Sequence, residues 1–99
     1  MRLLWRPRAL EDVREIFAFI ATRDPGSAKA YTDRIFTAAM RLERHPHSGR
    51  ARDEVGEGLR SIRSRSHVIF YFVAEDEIHV LRIVHAARDI RRLADEISD

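Results

Sequence analysis

Cysteine is absent from the 99 residues. That excludes disulfides, thiolate metal sites and a cysteine nucleophile, and it points to a reducing cytoplasm as the expected setting. Glycine and proline are scarce, at 4 and 3 residues, so no Gly-rich phosphate loop or Pro-rich linker is built here. The Gly-Glu-Gly run at 56–58 lacks the spacing of either nucleotide-binding fingerprint. No apolar run approaches the ~20 residues that cross a bilayer. The opening MRLLWRPRALED carries charges on both sides of a short apolar patch, unlike a signal peptide. Lysine is nearly missing: of 18 basic residues only Lys29 is lysine and the rest are arginine. The 16 acids leave a net charge of +2, too little for a nonspecific nucleic-acid coat. Arginine excess reflects either genome composition or a need for bidentate anion contacts.

A chain of this length forms one domain, expected over 1–99. Hydrophobic residues make up 44% and charged residues 34%, a globular balance. Leu3, Leu4 and Trp5 form a short strand stopped by Pro7. Ala9, Val13, Ile16, Phe17 and Ile20 recur at helical spacing and form one apolar stripe. Asp24 before Pro25 caps a second helix, whose stripe runs through Ala28, Tyr31, Ile35 and Leu42. Residues 45–58 read as the one long irregular stretch, a surface connection or a functional loop. Residues 59–65, 67–73 and 78–84 are β-branched or alternating and read as a meander. Ile90, Leu93, Ala94 and Ile97 mark a short closing helix. The expected fold is α+β and two-layered, βααβββ(α), with a helical hairpin packed on one face of a four-stranded, mainly antiparallel sheet.

In the last strand, Ile78, Val80, Arg82 and Val84 share one face and His79, Leu81, Ile83 and His85 the other, if the strand is regular. Both faces are mainly apolar, which places this strand centrally. Arg82 breaks the pattern. It is either structural, paired with an acid or snorkelling outward from a buried stem, or presented as a cation on the face that the helices leave bare. A metal site is not expected, because His45 and His47 flank Pro46 without a third ligand; nor is any other cofactor. No serine lies in a nucleophile elbow. What remains is an arginine and histidine set: Arg60, Arg63, Arg65, His67, Arg82 and His85. Metal-free phosphodiester cleavage needs a base, cations and an acid. Here the cations are plentiful and the second proton-transfer group has no candidate.

Three segments resemble the ParE branch of the RelE/ParE superfamily of type II toxin–antitoxin toxins. They are ALEDVREIFAFI at 9–20, HPHSGR at 45–50 with GLRSI at 58–62, and HVIFYFV at 67–73 with DEIHVLRIVH at 76–85 and ARDI at 87–90. The resemblance implies that the first strand lies beside the last, in sheet order 1-4-3-2. It implies an antitoxin protein whose C-terminal segment wraps the toxin, with Phe17, Ile20, Tyr31 and Ile35 of the helical hairpin as expected contacts. The ParE-like branch is directed at DNA gyrase and is not a nuclease; its expected target contacts here are Arg60, Arg63, Arg65, Arg82, His85 and Arg88. The RelE-like branch cleaves ribosome-bound mRNA, and under that alternative Arg60, Arg82 and His85 would be catalytic. Against it, Ala86 and Ala87 stand where that branch has a tyrosine. A member that only binds its antitoxin is a third reading. The free edge of the sheet is expected at 59–65.

Overall fold

The computed structural model describes residues 1–88 and 90–97; Asp89 of the ARDI motif lies outside them. The chain runs β1 (Arg2–Trp5), α1 (Pro7–Ala21), α2 (Pro25–Met40), a 3-10 turn (Arg41–Glu43), β2 (Arg50–Ala51), β3 (Arg60–Ser64), β4 (His67–Ala74), β5 (Glu77–His85) and α3 (Ile90–Ile97). Among the described residues, no helix is long and apolar enough to cross a membrane.

Local chemistry sets these bounds. Pro7 opens α1, where a missing N–H costs nothing. Asp24 caps α2, accepting from Gly26 N–H at 3.0 Å and Ser27 N–H at 3.3 Å. Glu75 and Asp76 both adopt positive φ, at 51° and 65°, and close the β4–β5 hairpin as a two-residue turn whose twist matches the strands.

Among the described residues the sheet has five strands in order β1-β5-β4-β3-β2, which corrects the four-stranded expectation. β1 does lie beside the last strand, in parallel, and β5 is flanked on both sides. The extra strand is β2, whose two residues pair with Arg60 and Ser61. It emerges from the stretch read as irregular and shifts the sheet's edge away from residues 60 and 61.

A second correction concerns layers. α1 and α2 cover one face, where Ala9, Val13 and Ile35 meet Ile69, Val80 and Ile83. The other face is not bare. α3 and the loop before β3 lie on it, and Leu93, Val55 and Leu59 pack with Val68, Phe70 and Val84. A third correction is a bulge in β5. Phe70 pairs with Arg82 but Tyr71 with Val80, so Leu81 is an inserted residue. The expected grouping of Ile78, Val80, Arg82 and Val84 on one face therefore fails. Ile83 joins Val80 under the helices and Val84 turns to α3.

A fourth correction is Phe17. It is 40% exposed, because the buried stripe of α1 runs through Ala9, Asp12 and Val13, leaving Phe17 on its flank.

Candidate functional site

The bulge and the end of β1 together create the site. β1 accompanies β5 only as far as Val80. Beyond that point α1 takes the place of a neighbouring strand. Asp12, 4% exposed, accepts the Ile83 N–H at 2.9 Å, which has no strand beside it to bond. The same carboxylate receives Arg82 Nε at 2.8 Å and Nη2 at 3.3 Å. Arg82 Nη1 reaches Glu96 of α3 at 2.5 Å. Arg82 thus ties α1 to α3 around the rim of β5. Burial opposes its charge, but the hydrogen bonds it donates to Asp12 and Glu96 outweigh that and raise its pKa above the ordinary arginine value. Of the two readings of Arg82, the structure carries the paired one.

Next to this pair lies a cleft of about 450 Å³. Ile16, Phe19 and Ile20 of α1 and Ile83 of β5 form its apolar wall; Tyr31, His67 and His85 form its polar end; Arg8 and Arg88 stand on its rim. Phe19 is 73% exposed. The Tyr31 oxygen accepts the Ser66 N–H at 3.2 Å and lies 2.5 Å from His67 Nδ1. The hydroxyl and the imidazole thus share one hydrogen bond, whose direction follows the His67 tautomer. Burial, reinforced by the adjacent His85, holds the His67 pKa below its usual value, which agrees with a neutral ring. His85 Nδ1 accepts the Ala87 N–H at 3.1 Å. The two imidazoles meet edge to face with ring centroids 5.2 Å apart.

The sequence-derived candidates divide into two places. Ile20, Tyr31, Arg82, His85 and Arg88 all line this cleft. Arg88 is paired with Glu96. Arg60, Arg63 and Arg65 lie elsewhere, on β3 and its turn. Arg60 holds the 45–50 segment, donating from Nη1 to Gly49 C=O at 2.9 Å and His47 C=O at 3.2 Å. Arg65 occupies the turn with φ 52°, and Arg63 Nε donates to its carbonyl at 2.7 Å. Ile35 has no exposed surface, so it belongs to the core and offers a partner nothing. Arg82, at 5% exposure, likewise has almost no surface to offer a target.

Some participants had no role assigned from sequence. Phe19 stood off the expected stripe. Asp12 is an acid, but it falls within the apolar period between Ala9 and Ile16. An acid on an apolar stripe and an arginine on an apolar strand are complementary signals for a buried pair. His67 was in the candidate set, but its approach to His85 follows from the direct pairing of these residues across the hairpin. Among the described residues, no group of three metal-ligating side chains converges.

The sequence matches the protein family described as the ParE toxin of type II toxin–antitoxin systems, parDE, over residues 3–90. It is 34% identical to toxin RelE2 of Caulobacter vibrioides, covering 88% of this chain and 97% of that one. It is 33% identical to toxin ParE1 of Mycobacterium tuberculosis, covering 92% and 95%. Among solved structures, a chain of the chromosomal ParDE toxin–antitoxin system from P. aeruginosa has the same fold, with a TM-score of 0.77 at 23% identity over 86% of this chain and 95% of that one.

Proposed function

The chain belongs to the ParE family of type II toxin–antitoxin toxins, and on that premise we propose that it arrests growth by docking on DNA gyrase and is neutralised by a ParD-like antitoxin. The observation that carries this reading is the dispersal of the residues a nuclease would need. Arg60 is spent on the Gly49 and His47 carbonyls. Arg82 is buried between Asp12 and Glu96. β4 separates the strands that carry them. A docking toxin needs anchors and contact area, and no proton transfer. The cleft supplies anchors: the exposed Phe19, the Ile20 wall and the His85 rim. An antitoxin that covers Phe17, Phe19, Ile20 and Tyr31 would mask that surface directly.

One observation favours the second reading, a metal-free endonuclease acting on ribosome-bound mRNA. His67 and His85 stand together in one cleft, so two groups able to move a proton are present where the sequence offered only one. Their Nδ1 atoms are engaged, and catalysis would run through the Nε2 atoms. The test is a pair of assays on the purified protein, gyrase supercoiling and cleavage against ribosome-programmed mRNA cleavage. Docking predicts inhibited supercoiling with intact mRNA. Cleaved mRNA with unaffected gyrase would install the nuclease reading.

A further inference from the structure

Ser64 ends β3, and its hydroxyl lacks a partner. Alternation puts Ser64 on the same side of the sheet as Ile62, which packs on the core under α1 and α2. The residue is 9% exposed, and among the described residues its hydroxyl makes no hydrogen bond. A buried hydroxyl left unpaired costs free energy that a ligand oxygen would recover. Ser64 lines a pocket of about 340 Å³ between β3 and α2, a volume within the range of small-molecule sites. The rest of the wall is cationic.

Arg34 and Thr37 of α2 and Arg41 at its C-cap share one helix face and line the pocket together. Arg63 of β3 lines it from the other wall. Its Nε donates to the Arg65 carbonyl at 2.7 Å, which fixes the fork and leaves the Nη donors open. Arg34 and Arg41 are exposed, and among the described residues neither they nor Arg63 is paired with an acid. Asp33, beside Arg34 in sequence, is taken by Lys29 at 2.6 Å. Arg8, Arg52, Arg82 and Arg88 are by contrast each paired with an acid. The dipole of α2 accounts for a cation at Arg41, beside the last turn, but its reach ends there. Arg34 and Arg63 lie beyond it. The pocket thus gathers guanidinium donors and a buried hydroxyl, and among the described residues no carboxylate lines it.

We propose that this pocket binds a diphosphate group, as the free anion or as the tail of a nucleoside diphosphate. Phosphate oxygens accept bidentate bonds from guanidinium forks. Arg34, Arg41 and Arg63 together carry more N–H donors than one phosphate has oxygens to accept them, and a second phosphate supplies the missing acceptors. Recognition stops at the phosphates. Among the described residues no aromatic ring lines the pocket, so a base has nothing to stack on. A single-stranded nucleic acid fits less well for the same reason, because sites for it are built on stacking platforms. The inference does not depend on which target the toxin attacks.

The test titrates the full chain with sodium pyrophosphate, without divalent cations, by calorimetry and amide NMR. The expected result is saturable binding that weakens with salt and shifts the amides of Arg34, Arg41, Arg63 and Ser64. Orthophosphate should bind about tenfold more weakly or worse. ADP and UDP distinguish the sources: affinity matching pyrophosphate admits nucleotide tails, and weaker affinity leaves the free anion. The double variant Arg34→Gln/Arg41→Gln should lose about tenfold or more in affinity at unchanged melting temperature, and Ser64→Ala should lose several-fold. Arg34→Lys/Arg41→Lys keeps the charge without the forks and should also lose affinity. No saturable binding, wild-type affinity in any folded variant, or shifts confined to the Tyr31 and His67 cleft would each overturn the proposal. So would a strong preference between ADP and UDP, or tighter binding of an oligothymidylate than of pyrophosphate.

Discussion

Asp12 gathers donors from three places: Arg82 Nε at 2.8 Å, the Ile83 N–H at 2.9 Å and Arg8 Nη1 at 2.9 Å. With the Arg82 side chain 6% exposed, water cannot replace it. Asp12→Ala should therefore destabilise the domain by about 3–5 kcal/mol in urea unfolding, mostly from the buried Nε side of the guanidinium left with no acceptor. Adding Arg82→Leu removes that charge, so the double variant should be more stable than the sum of the single losses implies. Additive losses would show that the two side chains are not one unit. His67 gives a pH dependence at this scale. Its pKa is lowered by burial, then by His85, from 6.5. Just below that pH the unfolded chain takes up a proton that the folded chain refuses, so stability falls as pH falls, and it levels off below the folded pKa. His67→Gln should shallow that slope while leaving it unchanged above pH 7. An identical slope in both proteins would mean that His67 titrates normally.

Elements were legible where their period was long. The two helices and the meander follow from apolar spacing, and Asp24 with Pro25 marks the start of α2 as the structure has it. Three features left no such mark. β2 has two residues, fewer than any alternation can register. The inserted Leu81 changes no composition, only the phase beyond it. Phe17 has helical spacing to Val13 and Ile20, but the stripe is centred on the side of Asp12, an acid that hydropathy excludes from a core. The packing makes a direct comparison. Ile35→Ala, at a fully buried position, should cost about 2–5 kcal/mol. Phe17→Ala should cost clearly less despite removing a larger side chain, and the reverse order in urea midpoints would contradict the observed phase of α1. The HPHSGR motif has a structural explanation at this scale as well. The Gly49 N–H donates to the Tyr71 hydroxyl at 2.9 Å, and a Cβ on Gly49 would stand 2.5 Å from that oxygen and 2.9 Å from the Ser61 carbonyl. Gly49→Ala should cost about 1–3 kcal/mol through this overpacking. A neutral substitution would show that the 45–50 segment is free to move off β3.

At the scale of the whole molecule, the domain presents two separate surfaces. One is the apolar cleft with Phe19, Tyr31 and the histidine pair. The other is the arginine-lined edge of β3. The sequence set of candidate contacts mixed the two, because residues 60–65 and 82–88 are alike in composition and only the strand order separates them. The family was readable from motifs spread along the chain. The target was not, since a histidine pair made by strand pairing has no local signature. Docking on gyrase requires the shape of the cleft, whereas mRNA cleavage requires its protons. Glutamine keeps a polar side chain but transfers no proton, and losing a general acid or base costs about 10²–10⁴ in rate. The decisive measurement is gyrase supercoiling beside ribosomal mRNA cleavage for the wild-type protein and for His67→Gln/His85→Gln, once circular dichroism shows the variant folded. The docking account predicts that both proteins inhibit supercoiling to within a few-fold and neither cuts mRNA. Wild-type cleavage of mRNA that disappears in the double variant, with gyrase untouched by either protein, would contradict it.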